Sequence, residues 1–245
     1  MKPYRFLTFN LRVDVESDGI NRWLHRMQHV FAFLKKKKYD FIGFQEVTPL
    51  MYEDLKNHLD AYDYFGDYRY YLDESTPIFY RRDHMELLES KTFWLTETPD
   101  EISILDGSAY FRVCTYGVFK KKDDIIVFFN THLDYMTDDV SLKQAHIILN
   151  KINHLKNTYP LAKIVLCGDF NQKVGSKTIN LVQSHLKMVD IGSFSTYHGF
   201  SSRTDGDPVD FFFYDNIERI KAKVILEQPK NVYLSDHYPI ELKIK

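Results

Sequence analysis

The chain has 245 residues, with 32 Lys and Arg against 34 Asp and Glu, for a net charge of -2. This balance argues against a protein whose main partner is the bulk of a nucleic-acid backbone, although a local patch could still bind nucleic acid. No apolar stretch of 18 residues exists, so no membrane span is expected. The aromatic content of 16% supplies a large core. We predict one catalytic domain over residues 1–245, with no obligate protein partner evident.

The two cysteines, Cys114 and Cys167, lie in apolar strand-like runs and imply no disulfide framework. We expect both to be buried free thiols. The first predicted strand begins almost at the first residue, which argues against a signal peptide. A reducing, cytoplasmic location is therefore predicted.

Short apolar or aromatic runs predict strands along the whole chain. They cover residues 4–10, 41–45, 76–81, 85–95, 111–120, 125–131, 163–167, 210–214, 223–227 and 238–244. Amphipathic periodicity predicts helices at 21–37, 49–59 and 138–156, with a weaker one at 176–185. Lysines 35–38 close the first helix, where cations are favoured. Helices mixed with runs of consecutive strands indicate an α/β fold with mixed sheets.

The sequence Gly168-Asp169-Phe170-Asn171 follows the buried strand predicted at 163–167. Gly168 is expected to end that strand and allow a sharp turn. Asp169 and Asn171 then project from the turn, at a strand end of the kind where α/β proteins bind ligands. An acid beside an amide is a suitable pair for a divalent cation and a phosphate oxygen.

Other predicted strands also carry a polar residue at one end. These residues are Asn10, Glu46, His132, Asp210 and the pair Asp236-His237. Each has a structural alternative, as a turn residue, a helix N-terminal acid or a solvated loop residue. Together they favour a common site, since carboxylate and amide oxygens suit Mg²⁺, with Mn²⁺ as an alternative. Zinc is disfavoured, because neither cysteine has a partner at ligand spacing.

In this order the motifs resemble the endonuclease/exonuclease/phosphatase superfamily. The matching pieces are Thr8-Phe9-Asn10, Gln45-Glu46, Asn130-Thr131-His132-Leu133-Asp134, Gly168-Asp169-Phe170-Asn171, Asp210 before an aromatic run, and Ser235-Asp236-His237. The segment 93–99 is similar to small bacterial members. The resemblance implies a four-layer α/β/β/α sandwich, with two mixed β-sheets packed face to face and helices outside.

The resemblance also implies a role for each polar residue. Glu46 would be the main Mg²⁺ ligand, and Asn10 and Asp236 would help to hold the ion. Asn171 would bind a phosphate oxygen, and Asp169 would orient or deprotonate the attacking water.

For the histidines, the resemblance implies that Asp210 orients His237, while His132 acts on the other side of the phosphorus. Glu74 looks like the acid that supports His132 in the deoxyribonuclease branch. Either Asp169 or His237 could be the base, since a carboxylate such as Asp210 fixes an imidazole tautomer.

The substrate is less well determined. Arg112 and Arg203 are candidates for binding its phosphate, the alternative being ordinary surface arginines. Tyrosines 62, 64, 68, 70 and 71 could stack on bases or sugars, or could form sheet surface and core.

The first functional hypothesis is a Mg²⁺-dependent phosphodiesterase or nuclease that uses in-line attack by an activated water. The second is a phosphomonoesterase for a small phosphorylated sugar, inositol or lipid headgroup. The third, an inactive binding module, is disfavoured because the polar set is complete.

Overall fold

The computed structural model describes residues 3–229 and 232–245, in which twelve strands form two six-stranded sheets. The strands of the first sheet are β1 (Tyr4–Asn10), β2 (Phe41–Gln45), β3 (Tyr62–Phe65), β4 (Ile78–Arg81), β11 (Ile220–Val224) and β12 (Ile240–Ile244). Those of the second are β5 (Glu86–Trp94), β6 (Val113–Lys121), β7 (Asp124–His132), β8 (Lys163–Asp169), β9 (Lys187–Met188) and β10 (Asp210–Asp215). The helices are α1 (Trp23–Lys37), α2 (Pro49–His58), α3 (Asp138–Thr158) and α4 (Lys177–Gln183), with a short 3₁₀ helix at Glu16–Asn21.

Both sheets are mixed. The strand order is β11-β12-β1-β2-β4-β3 in the first and β5-β6-β7-β8-β10-β9 in the second. Each sheet contains one parallel pair, β1 with β2 and β7 with β8, and its other pairs are antiparallel. The paired strands β1 and β2, like β7 and β8, therefore end at the same edge of their sheet.

Aromatic side chains fill the space between the two sheets. The ring of Phe6 on β1 lies 5.1 Å from that of Phe128 on β7, and Phe41 on β2 lies 4.8 Å from Phe119 on β6. All four are buried. Such edge-to-face contacts add to the stability that burial of the rings provides.

Helices cover the outer faces. Buried residues of α1 and α2, among them Leu34 and Leu55, share one hydrophobic cluster with Phe44 of the first sheet. Buried residues of α3 and α4, among them Ile148 and Ile179, share another cluster with Leu166 of the second sheet. The predicted four-layer sandwich is confirmed. None of the helices in the described residues has the length and apolarity needed to cross a membrane.

The predicted strands and helices are all present, but two further strands, β3 and β9, were missed. Strand β11 lies at Ile220–Val224 and not at 223–227. Its exposed face carries lysines at alternate positions, so pairing with β12, not an apolar run, fixes its position. Both cysteines are buried and free, as expected.

Candidate active site

The polar strand ends of the first sheet meet because β1 and β2 run parallel. Asn10 lies opposite Gln45 in the ladder, which brings it beside Glu46. Nδ2 of Asn10 donates to Oε1 of Glu46 at 2.9 Å, and the backbone N–H of Val13 donates to Oε2 at 2.8 Å. Glu46 is therefore held at both carboxylate oxygens.

In the second sheet, pairing of the strands brings three predicted residues together. His132 at the end of β7 pairs with Asp169 at the end of β8, and Asp169 pairs with Asp210 at the start of β10. All three side chains are buried. Their proximity follows from strand register, which the chain order of the motifs does not reveal.

The sequence suggested that Gly168 ends the strand, but β8 continues through Asp169. Gly168 has a positive φ of 149°, and a Cβ atom there would lie 2.0 Å from the carbonyl oxygen of Thr131. Glycine is needed for this close approach of β8 to β7. The turn comes later, at Asn171, with φ of 51° and its N–H bonded to Oδ1 of Asp169 at 2.9 Å.

Asp169 stands at the centre of the cluster. Its Oδ2 accepts from Nδ2 of Asn10 at 3.0 Å and lies 3.7 Å from Nε2 of both His132 and His237. Burial, together with the nearby charge of Asp210, raises the pKa of Asp169 to about 7.

His237 is paired with Asp210, whose Oδ2 lies 2.8 Å from Nδ1 of the ring. Burial by itself would lower the pKa of His237. The charge and hydrogen bond of Asp210, aided by Asp169 and Asp236, outweigh it and raise that pKa well above its ordinary value. These contacts therefore favour the imidazolium form of His237, whose Nε2 faces Asp169.

His132 has the opposite charge preference. Burial and the positive charges of Arg112 and Arg69 lower the pKa of His132 well below its ordinary value. Its Nε2 lies 3.0 Å from Nδ2 of Asn171, which also donates to the carbonyl of Leu133 at 3.0 Å. A neutral imidazole can accept that hydrogen bond, so the surroundings favour a neutral His132 and a charged His237.

A small cleft opens beside His132. Its walls include Glu46, Arg69, Glu74, Phe111 and Arg112. Arg112, a predicted phosphate-binding residue, is only 4% exposed and has its Nε 3.4 Å from Oδ2 of Asp134. Arg69 was missed by the sequence reasoning. Its signal was a single basic residue in the otherwise acidic segment 63–74.

Glu74 lines the same cleft, but its hydrogen-bond partner is not His132. Its Oε1 accepts from Nη2 of Arg69 at 3.0 Å. Burial and the charge of Glu46 raise the pKa of Glu74 to about 7, although Arg69 opposes the shift. Support of His132 by Glu74 stays a proposal.

The two remaining predicted residues lie differently. Arg203 is exposed and pairs with Asp205, and none of its hydrogen bonds or ion pairs among the described residues reaches the cluster. Asp236 is buried, and its Oδ2 lies 3.7 Å from Nε of Arg12, a second cation that the sequence reasoning missed. Burial and the charge of Glu46 raise the pKa of Asp236, against the effect of neighbouring His237.

The donor set fits a divalent cation that prefers oxygen. Ligand atoms of Glu46, His132 and Asp169 lie within 4.8 Å of one another, and so do those of Asp169, Asp210 and His237. Burial, together with repulsion among the carboxylates, raises the pKa values of Asp169 and Asp236, and a bound cation would oppose both effects. Asn10 turns its Nδ2 toward the carboxylates, while its oxygen accepts from the N–H of Arg12 at 2.9 Å.

Comparison with known proteins gives the family. The sequence model of the Endonuclease/Exonuclease/phosphatase family matches residues 7–237, which spans all the residues described above from Asn10 to His237. The chain belongs to the endonuclease/exonuclease/phosphatase family. Members of this family are hydrolases that act on phosphate esters. No curated protein matches the chain.

Solved structures of the endonuclease/exonuclease/phosphatase family are similar over nearly the full length. A Bacteroides vulgatus family member is 29% identical with a TM-score of 0.91, covering 100% of this chain and 99% of that one. A Bacteroides thetaiotaomicron mannosyl-6-phosphatase is 25% identical with a TM-score of 0.91, covering 99% of each chain. The D. rerio TDP2 bound to a single-strand DNA product is 15% identical, covers 99% of each chain and has a TM-score of 0.79, which supports the fold alone.

Proposed function

We propose that this family member is a Mg²⁺-dependent phosphatase that removes the phosphate from a small phosphorylated sugar. The observation that carries this proposal is the arginine pair, Arg69 and Arg112, lining one cleft with His132. A phosphate monoester is a dianion with three terminal oxygens, so two adjacent guanidinium groups suit it well. The similarity to the mannosyl-6-phosphatase supports the same substrate class.

The acidic cluster would hold the ion. Glu46 and Asp236 are the proposed ligands, and Asn10 would contribute after rotation of its amide. When bound, Mg²⁺ would neutralise phosphate charge and stabilise the charge that develops in the transition state.

In the proposed mechanism Asp169 is the general base and accepts a proton from the attacking water. Its pKa of about 7 suits a base that works near neutral pH. The imidazolium of His237, held by Asp210, stabilises the negative charge of the phosphate. Asn171 and neutral His132 bind phosphate oxygens from the other side of the cluster.

Phosphodiester hydrolysis is the second candidate. The same cluster would suit it, because in-line attack requires the same activated water and the same charge stabilisation. The observation that favours it is the exposure of Tyr70 and Tyr71 near the cleft, since such rings can stack on nucleobases.

One assay separates the candidates. The purified protein is incubated with Mg²⁺ or Mn²⁺ and hexose 6-phosphates, phosphoinositides, sphingomyelin, single-stranded RNA and abasic DNA. Inorganic phosphate and cleaved chains are then measured. Phosphate release from a hexose phosphate is the expected result. Cleavage of a nucleic-acid chain without that release would support the diesterase, and no product from any substrate would overturn both proposals.

A further inference from the structure

An aromatic surface lies next to the arginine-lined cleft. It is formed by Tyr70, Tyr71, Trp94 and Phe111, called here the aromatic shelf. The rings of Tyr70 and Phe111 stack with centroids 4.5 Å apart and planes 22° apart. Tyr71 meets Tyr70 at 4.8 Å and 72°. Because Phe111 lines the cleft as well, the shelf continues the cleft wall outward.

The shelf is open to solvent. Tyr71 is 75% exposed and Tyr70 41%, and neighbouring Leu72 is 77% exposed. Tyr62, earlier in the same tyrosine-rich segment, is buried in the core and so has a structural role. Apolar surface that is grouped and exposed in this way is characteristic of binding sites.

Hydrogen bonds hold the shelf in place. Nε1 of Trp94 donates to the carbonyl of Arg69 at 2.8 Å, and the N–H of Arg69 donates to the carbonyl of Glu74 at 2.8 Å. The turn that carries Tyr70 and Tyr71 is therefore tied at Arg69. A surface held in this way loses little conformational freedom when a ligand binds.

The charges around the shelf favour a neutral ligand over a polyanion. Residues 92–111 include four exposed acids, Glu97, Asp100, Glu101 and Asp106, and no Lys or Arg. Residues 62–74 include four acids and one arginine, Arg69. Asp67 lines the same surface as Tyr70 and Tyr71, so successive phosphates of a nucleic acid would be repelled here. Carboxylates do accept hydrogen bonds from hydroxyl groups.

We propose that the aromatic shelf binds the ring of a neutral carbohydrate whose phosphate group binds at the mouth of the arginine-lined cleft. The apolar C–H face of a pyranose would pack on Tyr71 and Tyr70, whose ring faces carry partial negative charge. The proposal rests on the proposed sugar phosphatase activity and assigns its specificity to the shelf. Tyr71 is the residue to change, because its exposure leaves folding little affected.

The test compares a hexose 6-phosphate with glycerol 3-phosphate, which has no ring. The specificity ratio is the kcat/KM for the hexose 6-phosphate divided by that for glycerol 3-phosphate. We expect this ratio to fall roughly tenfold in Tyr71→Ala and to be restored in Tyr71→Phe. Leu161→Ser is the control, because Leu161 is 87% exposed and lies in the turn before β8, outside the site. An unchanged ratio in Tyr71→Ala, with phosphate release intact, would overturn the proposal that the shelf binds the sugar ring. The phosphatase proposal would not be affected.

Binding is also measured without turnover, through tryptophan fluorescence in EDTA. The chain has two tryptophans, and Trp23 is buried, so the response to ligand reports mainly on Trp94. We expect hexose 6-phosphate to change this fluorescence in the wild type and much less in Tyr71→Ala. If this difference in fluorescence is seen but no ester is hydrolysed with Mg²⁺, carbohydrate binding by the shelf is supported and the phosphatase proposal fails. A preference for nucleoside monophosphates that Tyr71→Ala abolishes would overturn the carbohydrate assignment.

Discussion

Nδ1 of His237 lies 2.8 Å from Oδ2 of Asp210, and Nε2 of the same ring lies 3.7 Å from Oδ2 of Asp169. The imidazole thus lies between two buried carboxylates. A proton on this ring is stabilised from both sides, although burial opposes it. The folded structure therefore favours the charged form of His237, because it places both carboxylates beside the ring.

Replacing Asp210 tests this relationship. Asp210→Asn should lower the pKa of His237, measured by NMR titration of the ring proton, and lower kcat by about 10²-fold or more. Asp215→Asn is the matched control, since Asp215 ends the same strand, pairs with Lys156 and lies outside the site. An Asp210→Asn protein with an unchanged His237 titration would contradict the assignment.

Asp169→Asn should separate activity from stability. The change removes the proposed base, so we expect kcat to fall by roughly 10²-fold or more, and the same loss for His237→Ala. It also removes a buried carboxylate that is repelled by Asp210, so the free energy of unfolding at pH 7 should not decrease. Steady-state kinetics and urea unfolding measure the two effects. Near-normal turnover by the folded variant would exclude Asp169 as the base.

Glu46→Gln tests the metal site. With one charged ligand lost, the Mg²⁺ concentration for half-maximal activity should rise about tenfold or more. Glu53→Gln is the control, because Glu53 is exposed on α2 and pairs with Lys56. A metal titration that is the same in the Glu46 variant and the wild type would count against Glu46 as a ligand.

Glu74 should make stability depend on pH. Its pKa is raised from 4.5 to about 7, so between these values the folded state binds a proton that the unfolded state lacks. The free energy of unfolding must then fall as pH rises from about 4.5 to 7. Glu74→Gln should remove up to about 3 kcal/mol of this fall. Urea unfolding at several pH values measures it, and parallel curves for variant and wild type would contradict the expectation.

Gly168→Ala should be strongly destabilising, because its Cβ would meet the Thr131 carbonyl oxygen at 2.0 Å. We expect a loss of at least about 3 kcal/mol in the free energy of unfolding, or failure to fold. Gly192→Ala is the control. Gly192 also has a positive φ, 74°, but open space around it, so its replacement should cost about 1 kcal/mol. Equal losses at the two positions would show that conformation, not contact with β7, requires Gly168.

The sequence predicted most elements because their patterns are local. The helix at Asp138–Thr158 has a continuous apolar stripe, and the strand at Lys163–Asp169 is a compact apolar run. Strand β3 was missed, since Tyr62–Phe65 gains its strand character from pairing with β4. Gly168 was interpreted as a strand end, because a sequence does not show which backbone a glycine must approach.

By itself the sequence predicted the fold class and most of the residues that gather at the site, since most lie at strand ends and their order along the chain is distinctive. Only the tertiary structure decided how they interact. Register pairs Asp169 with Asp210 and with His132. Carboxylates beside His237 and arginines beside His132 then give the two buried histidines opposite charge preferences. The structure also brought Arg69 to the cleft and left Arg203 outside it. Distances and desolvation arise only when separate strands pack together, so no local pattern encodes them.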